Sequence, residues 1–212
     1  MRERHCAMDW LCLGSQLLAV VACFLPWLWH PAAALSPQVF DLAEWTSLVP
    51  EIRNRPVALL PSLLLRSSVA LLAVAIWLAA VGRQDHHQVT CIQGAIAVCL
   101  TLMLLPPADF FLTAQEDPNY RQQFWIALVA VGIMVAAIVS RPRLAAWIPR
   151  LAAVALFLGA ACAIAGLIAS APLTTTLGVS MRLGAGIFLY VLGALASGAC
   201  LIRLSLRQET VT

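Results

Sequence analysis

The chain has 212 residues, 62% of them apolar and 11% charged, with a formal net charge of +3. A soluble globular domain of this length would need far more polar surface, so that class is excluded. The net charge is too small to suggest a nucleic-acid binder, and the arginines are spread over several short loops.

A transmembrane helix needs about 20 apolar residues. Reading along the chain, spans are expected at residues 10–29, 62–81, 90–105, 123–140, 151–171 and 183–202. The first has the basic start of a signal peptide, Arg2 and Arg4. Its apolar core is too long, however, and Trp27 and Trp29 stand where a cleavage site wants small residues, so a retained span is expected.

Residues 30–61 form an outer cap. The stretch 24–61 holds Pro26, Pro31, Pro37, Pro50, Pro56 and Pro61, no glycine, and the charges Asp41, Glu44, Glu51, Arg53 and Arg55. Ser36-Pro37 predicts a helix start, with Ser36 capping, Pro37 in the first turn, and Leu35 stapled to Phe40. Val39, Leu42, Ala43, Trp45, Thr46 and Val49 then fall on one arc, and Asp41, Glu44 and Leu48 largely on the other. A short amphipathic helix is expected, ended by Pro50 and lying flat at the outer interface. Asp41, Glu44 and Trp45 supply the acids and aromatic anchor of a partner-docking surface.

Arg66 lies just inside the second span. An unpaired guanidinium in hydrocarbon is unfavourable by at least ~2.5 kcal/mol. Snorkelling, or pairing with Asp41, Glu44 or Asp109, is therefore expected. The third span is short and stops before Pro106-Pro107. Small residues recur at four-residue spacing in the last two spans, as at Gly193 and Ser197, and permit close helix packing. Gln16 and Ser197 lie at similar depth and are expected to face the interior and hydrogen-bond. With Arg66 they are the candidate intramembrane polar residues.

Arginine placement sets the orientation. Arg2, Arg4, Arg83, Arg141, Arg143, Arg150, Arg203 and Arg207 fall on one side, and Arg53, Arg55, Arg66, Arg121 and Arg182 on the other. Both termini are expected to be cytoplasmic. Trp10 and Trp147 fall at cytoplasmic span ends and Trp27, Trp29 and Trp125 at outer ends, the usual headgroup level for an indole.

Chemistry is sparse. The cysteines form no C-x-x-C pair and lie in or beside apolar segments, as small buried side chains do. No nucleophile elbow, P-loop, dinucleotide fingerprint or H-E-x-x-H is present, so no catalytic residue is assigned. No Asp or Glu lies in a span core, which speaks against an ion-coupled transporter. A small transporter or channel would instead need a water-filled path lined by Gln16, Gln93, Thr101, Tyr190 or Ser197. His30 is the candidate axial ligand for a haem or chlorophyll-type pigment. A metal at Asp85, His86 and His87 would need ligands from elsewhere, so no metal and no obligate cofactor is predicted. Contact with bacteriochlorophyll, carotenoid or haem stays open.

The run Asp41-Leu42-Ala43-Glu44-Trp45, preceded by Phe24-Leu25-Pro26-Trp27, resembles small multi-span membrane proteins of green filamentous phototrophic bacteria and their relatives. The likeness covers about the first third of the chain. It implies a bacterial inner membrane rich in photosynthetic and respiratory complexes. The expectation is an all-α polytopic membrane bundle of six spans and one interfacial helix. Its expected role is that of a non-catalytic accessory subunit in contact with lipid and other membrane proteins.

Overall fold

Long runs of leucine, alanine and valine, broken by proline, fold as a series of helices. The computed structural model describes residues 2–30, 35–53, 59–83, 87–176, 178 and 180–209. It is mostly helical (81%). In order come α1 (Arg2–Ala22), β1 (Leu28–Trp29), α2 (Val39–Leu48), α3 (Pro50–Arg53), α4 (Leu60–Gly82) and α5 (His87–Met103). Then follow α6 (Asp109–Leu112), α7 (Pro118–Leu144), α8 (Ile148–Ala169), α9 (Ala171–Thr176), β2 (Arg182–Leu183) and α10 (Ala185–Glu209).

Among the described residues, four helical segments are long and apolar enough to cross a membrane: α4, α7, α8 with α9, and α10. The apolar parts of the other two long helices, Met8–Ala22 and His87–Met103, are shorter. This is the composition of an integral membrane protein. α4 is the central helix, mostly buried along its apolar stretch, and it packs against α8, α5, α7 and α2. α10 lies between α1 and α8. α7 is peripheral, with most of its apolar stretch exposed.

Small residues allow these contacts. A methyl group added at Gly193 would stand 2.7 Å from the Ser15 carbonyl oxygen, so α10 meets the backbone of α1 directly. At Gly166 of α8 the same methyl would meet Leu65 of α4 at 2.9 Å. At Gly198 the added methyl would meet the Phe157 ring at 2.8 Å. The small-residue faces of α8 and α10 are thus used inside the chain.

Several expectations need correction. The first helix ends at Ala22, not at residue 29. Pro26 cannot continue it, and Leu28 and Trp29 instead pair antiparallel with Leu183 and Arg182. That turn folds Trp27 inward. It is fully buried, its indole N–H donates to the Ala22 carbonyl at 2.9 Å, and its ring lies 5.4 Å from that of Tyr190. The indole thereby satisfies one of the carbonyls orphaned at a helix end, and Trp27 is not a headgroup residue. The short helix α2 starts at Val39, with Gln38 rather than Ser36 at the N-cap. Pro37 is held outside it because its carbonyl accepts from the Trp27 N–H at 2.9 Å. Phe40 meets Phe24, with ring centroids 5.8 Å apart. The fourth apolar helix runs past both expected ends, begun by the Asp117-Pro118 cap and continuing through Pro142 in its last turns.

Candidate functional site

Two polar clusters lie inside this apolar frame. The first sits where α2 covers the starts of α4 and α7. α2 buries Val39, Leu42, Ala43, Thr46 and Ser47 and exposes Leu48. This phasing aims Glu44 at α4. Arg66 comes from the second turn of α4, and Asn119 from the first turn of α7. Asn119 is fixed there because its backbone N–H donates to the Asp117 carboxylate at 2.8 Å.

Arg66 Nη2 donates to Glu44 Oε2 at 2.6 Å, and Nη1 donates to Asn119 Oδ1 at 2.6 Å and to its carbonyl at 3.3 Å. Asn119 Nδ2 closes the triangle by donating to both Glu44 oxygens at 3.2 Å. One guanidinium thus fastens three elements. Alongside, Arg53 pairs with Asp117 at 3.1 Å. Of the three expected partners of Arg66, the structure supplies Glu44.

Asp41 and Trp45 do not join this triangle. Asp41 accepts from the Gln38 backbone N–H over a long 3.5 Å, a first-turn contact of α2. Trp45 is partly buried and packs on the hydrophobic core.

The second cluster threads α1, the end of α4, α5 and α10. Asp9 Oδ1 is 3.3 Å from Arg83 Nη2. Arg83 Nη1 donates to Gln93 Oε1 at 3.0 Å, and Gln93 Nε2 donates to Gln16 Oε1 at 2.6 Å. Gln16 Nε2 lies 3.7 Å from Cys12 Sγ, which lies 3.8 Å from Ser197 Oγ. Gln16 and Ser197 are both in the interior, 1% and 0% exposed. No direct hydrogen bond joins them, because Cys12 stands between them.

Buried polar groups need partners; this chain of contacts gives them to Gln16 and Gln93, while Arg83 Nη2 has only its ion pair with Asp9. Tyr190 donates to the Ser68 carbonyl at 2.6 Å, and Thr101 to the Ala97 carbonyl at 2.8 Å. The five residues expected to line a path therefore occupy three separate places.

His30 follows β1 and is half-buried, with its backbone N–H donating to Leu35 at 3.0 Å. Among the described residues, no three His, Cys, Asp or Glu side chains gather as a metal site. Asp85 and His86 lie outside the described residues, and His87 opens α5, 3.5 Å from Cys91 Sγ.

Sequence reasoning missed Asn119 as a partner of Arg66. The available signal was the Asp117-Pro118 helix start, which puts Asn119 at the level of the α4 entry. The Gln16–Gln93 pair had no signal, because which helices become neighbours is not written in either segment. No protein-family model matches the chain, and no curated protein or solved structure matches it significantly.

Proposed function

We propose that the chain crosses a bacterial inner membrane six times, with both termini cytoplasmic. In this reading it serves as a non-catalytic accessory subunit of a larger membrane assembly, photosynthetic or respiratory. The observation that carries the topology is that loops assigned to one side touch each other. Arg83 contacts Asp9, and its carbonyl accepts from Arg141 at 3.3 Å. At the other end Arg53 reaches Asp117, Glu44 reaches Asn119, and Thr176 reaches Glu51 at 3.4 Å. Six crossings place each of these pairs on a common side. In this reading the shorter apolar helices Met8–Ala22 of α1 and His87–Met103 of α5 complete the count.

The accessory role is supported by where polarity and hydrocarbon are spent. Arg66, Gln16 and Gln93 hold the helices of the chain to one another. The outward surface is apolar: α7 exposes Trp125, Val129, Val135 and Val139, and α5 exposes Val98 and Leu102. Such a wall suits lipid or a neighbouring membrane subunit. α2 adds Leu48 and the open edge of Glu44 at the outer rim.

Extraction of native membranes in mild detergent tests the role. Co-migration of the chain with a multi-subunit complex, with its partners identified by mass spectrometry, is the expected result. Elution as a lone monomer from the same extract contradicts it.

A further inference from the structure

Between α7 and α8, floored by α4, runs an apolar groove of about 300 Å³. Leu71 and Leu78 form its floor, Ile133 and Leu144 one wall, and Ile148 and Leu158 the other. Ser140 is the one polar residue lining it among the described residues. From residue 133 to residue 144 the wall rises roughly 16 Å at 1.5 Å per helical residue. That is about half of a ~30 Å hydrocarbon core, the depth of one leaflet.

The groove opens at one end onto the α7–α8 connection, and the charge is concentrated there. Residues 140–150 hold Arg141, Arg143 and Arg150 and no acid. Arg141 and Arg143 are exposed, and Arg141 also donates to the Arg83 carbonyl at 3.3 Å. Trp147 is 56% exposed, and the Arg150 guanidinium stacks on it 5.1 Å from the ring centroid. Asp9, at the same end, is held at 3.3 Å from Arg83.

We propose that this site binds an anionic phospholipid of the inner leaflet. The headgroup phosphate sits on Arg141 and Arg143, which offer planar donors suited to phosphate oxygens. One acyl chain fills the groove. Trp147 packs at headgroup level, where an indole keeps its N–H wet and its ring dry. Basic pockets between helices on the cytoplasmic side select anionic lipids for this electrostatic reason. The leaflet assignment rests on the topology proposed above; lipid binding itself does not.

The test is native mass spectrometry of the full chain in neutral detergent, with phosphatidylglycerol and phosphatidylcholine of matched acyl chains. One phosphatidylglycerol is retained per chain, with a preference of roughly ten- to thirty-fold over phosphatidylcholine. R141Q/R143Q, two exposed changes, reduces that preference to about twofold or less. Ala136→Phe, which fills the groove from its exposed wall, lowers retention of both lipids several-fold. Equal retention of the two lipids by the native chain, or an undiminished preference in R141Q/R143Q, overturns the headgroup site. Unchanged retention in Ala136→Phe overturns the acyl groove. Binding in detergent does not depend on which side the loop faces, so an error in topology leaves this result intact and appears only in side-specific labelling.

Discussion

Arg66 and Glu44 meet at 2.6 Å, yet Arg66 is 5% exposed while the Glu44 side chain is 41% exposed. The pair is dry on one side and wet on the other. Asn119 bonds to both, so the guanidinium keeps a partner even when the carboxylate moves. The arrangement pins the ten-residue α2 onto the bundle.

Glu44→Ala removes the carboxylate and leaves the cation short of a partner. A loss of about 2 kcal/mol is expected, the scale of a hydrogen bond to a charged group. Arg66→Met replaces the cation with an apolar side chain of similar length and loses less. The double variant is then more stable than the sum of the two single losses predicts. Thermal unfolding in detergent, run as a double-mutant cycle, measures this coupling.

Gln16 and Gln93 make a comparable prediction in the second cluster. Gln16→Leu strips the Gln93 amide of its acceptor in a dry site, and a loss of about 1–3 kcal/mol is expected. Gln16→Leu with Gln93→Leu recovers little of that loss, because the unmet amide is gone but Arg83 Nη1 is left without its acceptor. Arg83 is still held by Asp9.

The apolar runs were legible because length and hydropathy alone decide them; α4, α7, α8 and α10 follow directly. Arg66 was legible as a group that must find an acid, since the physics of a cation near hydrocarbon leaves few choices. Trp27 was not. Its sequence position suggested the headgroup level, but the Pro26 turn and the two-residue pairing with Leu183 bring it under α10. A strand of two residues has no period to read. Ser36-Pro37 looked like a cap on local chemistry, and a long-range bond from Trp27 to the Pro37 carbonyl overruled it.

Trp27 therefore behaves unlike the surface tryptophans. In single-tryptophan variants reconstituted with bromine-labelled lipids, Trp125 and Trp147 should be strongly quenched and Trp27 nearly unaffected. Quenching of Trp27 to the level of Trp125 would return it to the lipid boundary.

Gly193 and Gly132 form a matched contrast. Gly193→Ala places a methyl 2.7 Å from the Ser15 carbonyl and should destabilise by roughly 1–3 kcal/mol, through overpacking between α1 and α10. Gly132 has open space around its Cβ position, so Gly132→Ala should be neutral or stabilising by up to about 1 kcal/mol. Unfolding midpoints of the two variants decide the comparison.

The six-span account requires that α7 cross the membrane, so that the loops at its two ends face opposite sides. With the native cysteines replaced, Thr113→Cys in the loop before α7 and Ala146→Cys in the loop after it can each be treated with a membrane-impermeant maleimide on sealed right-side-out vesicles. Labelling of residue 113 from outside, with residue 146 reacting only after lysis, is the predicted result. Reaction of both from the same face would mean that α7 does not cross the membrane, and the six-span account would fail.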